Sequence, residues 1–162
     1  MTKVAIFIGS ISDKDVMSPC SEVLGQLGIE HLFTVTSAHR TPERTERLVT
    51  ELEAKGCQVF ICAAGMAAHL AGAVAARTLK PVLGVPVNAS PLGGMDALLA
   101  TVQMPPGFPV GTLAIDKAGA RNAAWLAAQI LALTDKSLEE KIRQAREGFA
   151  QSVEKAAREL EV

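Results

Sequence analysis

Short apolar runs alternate along this chain with stretches whose apolar positions recur every three or four residues. Val4-Ala5-Ile6-Phe7-Ile8 contains no polar member, which predicts a strand covered on both faces. Residues 13–27 follow with helical spacing, stopped at Gly28. His31 to Thr36 predicts a second strand, and Thr41 to Lys55 a charged amphipathic helix with Pro42 in its first turn and Gly56 at its end. Val59-Phe60-Ile61-Cys62 predicts a third strand, and residues 68–79 an alanine-rich helix. Pro81 to Val87 predicts a fourth strand, followed by a helix over 93–102; Gly111 to Ile115 predicts a fifth, followed by a helix over 118–133.

Strands with near-continuous apolar character, alternating with helices, imply a parallel sheet sheltered on both sides. The expected fold is a doubly wound, flavodoxin-like three-layer α/β sandwich with a five-stranded parallel sheet, formed by residues 1–134 of a single domain spanning 1–162. Residues 135–162 stand outside the alternation. From Lys136 to Leu160 the apolar residues Leu138, Ile142, Ala145, Phe149, Val153, Ala156 and Leu160 lie three or four apart, on one helical face. The sandwich is already complete without this C-terminal extension helix. Its face therefore needs another surface: a neighbouring copy of the chain, or the same domain.

Composition narrows the function classes. Charges nearly cancel, at −1 over 162 residues, and no block of like charges occurs. That argues against nucleic-acid or membrane-surface partners, which leave a basic footprint. Cys20, Cys57 and Cys62 form no CxxC pair and suit reduced, buried thiols in a cytoplasmic protein. The start, Met1 to Ile8, is too short for a signal peptide, and no apolar run approaches the roughly 20 residues of a membrane span.

Ligands of open parallel sheets bind beyond the carboxyl ends of the strands. Each of the first four predicted strands ends in a polar or glycine-rich segment: Gly9-Ser10-Ile11-Ser12-Asp13, Ser37-Ala38-His39-Arg40, Ala63 to His69, and Asn88 to Gly94. The fold brings them to one edge. The first places hydroxyls and backbone amides at a helix N-terminus, which suits phosphate, with Ser10 and Ser12 as donors. The same residues also suit plain helix capping by Ser12 or Asp13. The segment is neither a Walker loop nor a GxGxxG fingerprint. In the second, Arg40 offers a fork for phosphate and His39 a group that trades protons near neutral pH. His69 lies among small residues that let a ligand approach backbone closely, or that simply pack the helix on the sheet. His31, at the opposite edge, reads as structural. Three scattered histidines give no metal-ligand spacing, and no GxSxG elbow accompanies Ser10. Flavin binding normally offers aromatic stacking, yet the chain has no Tyr and one Trp.

These segments, with Thr41-Pro42, Ala67-Ala68-His69-Leu70, Pro81 to Pro86 and Gln103-Met104-Pro105, resemble the PurE family over residues 3 to 134. Gly111 to Ile115 and Lys117-Ala118-Gly119 also fit. The resemblance implies a metal-free and cofactor-free enzyme, assembled as a homo-octamer, acting on a small ribonucleotide. It implies His39 as the catalytic acid–base. It implies substrate contacts at Ser10, Ser12, Asp13, Ser37, Arg40, Ala67, His69 and Leu70, with Ser12 and Ser37 on phosphate and Asp13 on a ribose hydroxyl. Two positions depart from the family pattern: Met66, where many relatives have Gly, and Ala71, where many have Pro.

The family's main branch moves CO2 from the exocyclic nitrogen of an aminoimidazole ribonucleotide to a ring carbon. One histidine can serve as acid and then as base. Retention of the freed CO2 calls for a small dry chamber, for which Ala64, Ala67, Ala68 and Leu70 are the candidate walls. The other branch carboxylates with free CO2; Arg40 and Ala68-His69-Leu70 favour the first. A nucleotide-binding module without activity would have no use for His39.

Overall fold

The computed structural model describes residues 1–161; Val162, the last residue of the C-terminal segment, lies outside the described residues. The sheet comprises β1 (Val4–Ile8), β2 (His31–Val35), β3 (Val59–Gly65), β4 (Val82–Val87) and β5 (Gly111–Thr112). Helices α1 (Lys14–Gln26), α2 (Pro42–Ala54), α3 (Leu70–Ala75), α4 (Met95–Val102) and α5 (Asp116–Ala132) connect or follow them, and α6 (Lys136–Leu160) closes the chain. All pairings are parallel, in the order β2-β1-β3-β4-β5. This is the expected flavodoxin-like sandwich.

The apolar runs explain the layering. Alternate residues of a strand face opposite sides. Val4, Ile6 and Ile8, with Val59, Ile61 and Ala63, meet α1 and α5 on one face. Ala5 and Phe7, with Phe60 and Cys62, meet α2 and α3 on the other. Helix α5 presents a wholly buried row of Ala120, Ala123, Ala124, Ala127 and Ala128, so it lies close against α1. Its entry is tighter still: a Cβ on Gly119 would stand 1.6 Å from the Ala114 carbonyl oxygen, so no larger residue fits there.

Two expectations need correction, and one open choice is narrowed. The alanine-rich helix is shorter than 68–79, running only from Leu70 to Ala75, because Ala67 to His69 turn along the sheet edge and the chain must turn again before Pro81. The fifth strand pairs only at Gly111 and Thr112; the Leu113 amide adds one bond to Gly84 before the chain leaves the sheet. The extension helix matches its expected bounds, but its first two turns are not free. Leu138 and Ile142 are buried in the α1/α5 core, and Phe149 meets Trp125 edge-on at 5.7 Å. Val153 and Leu160 remain exposed, as does most of Phe149.

Candidate active site

The strand order reverses direction at β1, so the connections leaving β1 and β3 diverge to opposite faces. Such a crevice at the carboxyl edge is the expected ligand site of this topology. A cleft of about 380 Å³ lies there, lined by segments after β1, β2 and β3 and by Ala89 after β4. Ser10, Ser12, Asp13, Ser37, His39, Arg40, Ala67, His69 and Leu70 all line it. These nine expected residues are thus brought together from three separate stretches of chain.

The β1 side is a capped turn. After Ile8 the chain makes one 3-10 turn, Ile11–Asp13, and then enters α1. Ser10 caps that turn: its Oγ accepts the Ser12 amide at 3.4 Å, while the Ser10 amide donates to Asp13 Oδ2 at 3.2 Å. Ser12 Oγ donates to Asp13 Oδ1 at 3.3 Å. Capping and ligand binding are compatible here, because the cap uses Ser10 Oγ as an acceptor and leaves its proton for a ligand. Asp13 itself is buried. Burial raises its carboxyl above the ordinary 3.8, while the bonds from Ser12 and Ser10 and the charge of Arg40 oppose that rise.

The β2 side carries the cation. Ser37 Oγ accepts the Arg40 amide at 3.1 Å, and the Ser37 amide donates to Thr41 Oγ1 at 3.0 Å. These bonds tighten the turn and set the direction in which Arg40 leaves it. Arg40 then crosses to the first segment and donates Nη2–H to the Gly9 carbonyl at 2.9 Å. One edge of the guanidinium is spent in this tie; the fork has five donors, so others remain for an anion.

The third side brings the histidines together. His39 Nε2 and His69 Nδ1 are 2.7 Å apart, with ring centroids at 4.9 Å and planes nearly perpendicular. One nitrogen donates and the other accepts, so the pair shares one proton along this line. Among the described residues no further hydrogen bond holds the His39 ring. Ala64, Ala67 and Leu70 line the cleft as expected of chamber walls, but Ala68 does not; it is 2% exposed and points into the core. His31, by contrast, is held by Ser21 Oγ at 2.7 Å and the Ile29 carbonyl at 2.8 Å, the structural role its position suggested.

Several lining groups lie in the expected segments but were not among the expected contacts. The Gly9 carbonyl anchors Arg40, and Ala38, Gly65, Met66 and Ala89 complete the walls. Gly65 is required by a close approach: a Cβ there would stand 2.5 Å from the Ala89 Cβ. Among the described residues no group of three His, Cys, Asp or Glu converges as a metal site, and no helix is long and apolar enough to cross a membrane.

Known proteins resemble this chain over most of its length. A family model described as AIR carboxylase matches residues 3–152. The N5-carboxyaminoimidazole ribonucleotide mutase of Escherichia coli (strain K12) is 50% identical over 151 residues, covering 93% of this chain and 89% of that protein. The mutase of Pyrococcus abyssi is 47% identical over 147 residues, covering 91% and 83%. The crystal structure of Treponema denticola PurE superposes with a TM-score of 0.90 at 27% identity, covering 100% of both chains.

Proposed function

The chain belongs to the AIR carboxylase family, and from that premise we infer that it is an isomerase converting N5-carboxyaminoimidazole ribonucleotide to 4-carboxyaminoimidazole ribonucleotide. The observation that supports this reading best is the position of His39. It stands in the crevice at the strand-order switch, between an α1 N-terminus with hydroxyl donors and a small-residue wall.

The chemistry follows from that placement. The phosphate sits against Ser10, Ser12, Ser37 and the free edge of Arg40, and Asp13 accepts from a ribose hydroxyl. The imidazole then extends toward His39. His39 gives a proton to the carbamate nitrogen, the N–C bond breaks, and CO2 leaves with no net charge. The aminoimidazole now carries electron density on its ring carbon, which attacks CO2 and forms the new C–C bond. That carbon holds one proton too many, and His39 takes it, restoring aromaticity. The histidine ends as it began, so protons and electrons balance without an external reagent. His69, bound to Nε2, orients the His39 ring and leaves Nδ1 to face the reacting atoms. Ala64, Ala67 and Leu70 wall off the CO2, so recapture is effectively intramolecular, an advantage that reaches about 7–11 kcal/mol in favourable model systems.

Two further parts belong to this reading. The enzyme works in the cytoplasm on a purine precursor. It assembles as a homo-octamer, with the exposed half of the α6 stripe, Phe149 to Leu160, on a neighbouring copy. A chain ending at Arg146 keeps Leu138 and Ile142 in the core; light scattering should show a smaller assembly, and an unchanged one would remove α6 from the interface.

The test of the reaction is isotopic. The protein is given the carbamate ribonucleotide in buffer containing labelled bicarbonate and stopped early. Little label should enter the product, because the transferred carbon comes from the substrate. Full equilibration in the first turnovers would identify a carboxylase drawing on dissolved CO2. Slow incorporation is expected when the site opens for product release.

A further inference from the structure

Met66 is a large apolar side chain with a positive φ of 54°, the first residue after β3. That backbone region disfavours residues with a Cβ, and bulky ones are rare in it. Sites of such strain tend to be functional, with the surrounding structure fixing the conformation. Here it is fixed from both sides. On one side Gly65 pairs with Val87 in the sheet and packs against Ala89. On the other the His69 amide donates to the Ala67 carbonyl at 2.8 Å, and His69 is bound to His39. Met66 cannot relax its φ without disturbing the histidine pair or the strand register.

The side chain so directed lines the cleft and is 59% exposed. Most of its neighbours on this wall are small, Ala64, Gly65, Ala67 and Ala89; of the larger ones, His69 is tied to His39 and Leu70 is only 2% exposed. The anion-binding groups all come from the segments after β1 and β2, so the wall after β3 faces the base and the CO2 rather than the phosphate. Met66 is the long, exposed and unbound side chain on this wall, so it has the reach to narrow the opening, and an unbranched thioether adapts its shape to a ligand.

We propose that Met66 is a specificity-determining residue: a flexible apolar shutter over the base-side opening, which holds CO2 in the site between its release and recapture. This rests on the mutase reading of the same cleft. Removing the side chain leaves the acid–base machinery in place and opens the wall. The test uses Met66→Ala, which keeps the Cβ and the backbone strain, Met66→Gly, which removes both, and Met66→Leu, which restores apolar bulk.

With the carbamate ribonucleotide and labelled bicarbonate, Met66→Ala and Met66→Gly should raise the labelled fraction of product about threefold or more, and Met66→Leu should return it toward wild type. Equal labelling in all four proteins would overturn the proposal. Binding provides a second, turnover-independent readout by calorimetry. Aminoimidazole ribonucleotide should bind Met66→Ala about fivefold more weakly, whereas ribose 5-phosphate should bind it as it binds wild type. Equal losses for both ligands, or none for either, would also overturn it. A wild-type protein that forms no product from the carbamate removes the mutase reading instead, and leaves the binding experiment to decide the role of Met66. Melting of Met66→Gly at or above the temperature of Met66→Ala is the expected sign that the φ is strained; melting below it would overturn the strain on which the shutter rests.

Discussion

The two edges of the sheet differ in a way that size alone misrepresents. At the amino edge lies a cavity of about 890 Å³, bounded by residues 75–83, Glu53, Phe108 and Gly111. The cleft at the carboxyl edge has less than half that volume. The larger cavity contains a Thr78 hydroxyl already committed to Glu53, and an Arg77 drawn toward Glu46. Thr78, Glu53 and Arg77 are thus already engaged within the chain. The smaller cleft gathers an exposed histidine pair, a guanidinium with open donors, a helix N-terminus and a buried carboxyl. Chemistry resides where groups remain available to a ligand, and the carboxyl-edge cleft gathers more of them than the larger cavity does.

The sharpest challenge to this contrast is His39→Asn. Turnover should fall by about 10²–10⁴-fold, the usual share of a positioned acid–base, with nucleotide affinity kept within about tenfold. Near-normal turnover would return the carboxyl-edge cleft to the status of the other. Next is Arg40→Ala. Loss of a charge-assisted contact typically costs about 1.5–3 kcal/mol, so phosphorylated ligands should bind tenfold or more weaker. A dephosphorylated analogue should lose little; equal losses would place Arg40 away from the phosphate.

Asp13→Asn probes the buried carboxyl. The folded protein holds the Asp13 proton above the ordinary value, so between pH 3.8 and that raised value the folded state binds more protons than the unfolded one. Stability therefore declines as pH rises through this window. Asn cannot ionise and still offers an acceptor to the Ser10 amide. The variant should melt at or above wild type near about pH 7, lose that advantage below about pH 3.5, and bind ribonucleotide more weakly. A stability loss at neutral pH would show that the carboxylate is needed for the turn. The smallest change is expected at the other edge: Lys80→Ala, beside the larger cavity, should alter kcat and affinity less than about twofold, as exposed substitutions away from special features do. A larger effect would mean that the amino edge also contributes.

Much of this contrast was legible in the sequence, for a physical reason. β1, β3 and β4 are buried on both faces, so their apolar runs are unbroken and easily read. Once the strands are placed, the topology decides which segments share an edge, and all nine expected residues arrive there. Local detail was less legible. Alanine favours helix wherever it stands, and nothing in Ala67-Ala68-His69 announces that these residues turn along a cleft before α3 begins. The same run hid that Ala68 faces the core. The His39–His69 contact spans 30 residues and two connections, so only the folded chain reveals it. The α6 pattern gave the helix and its stripe, but a stripe does not say where one partner surface ends and another begins. Leu138 and Ile142 belong to the chain's own core, and the distal residues do not.

The three cysteines give the molecule a built-in record of its own breathing. Cys20 lies in the layer formed by α1 and α5, and Cys57 and Cys62 in the layer beneath α2 and α3. All are essentially inaccessible, and burial holds their thiols protonated, Cys20 up to about 12 and Cys57 to about 11, with Cys62 also raised. An alkylating reagent meets no thiolate until a layer separates. Adduct mapping over time therefore times the opening of each side of the sheet independently, with no added probe.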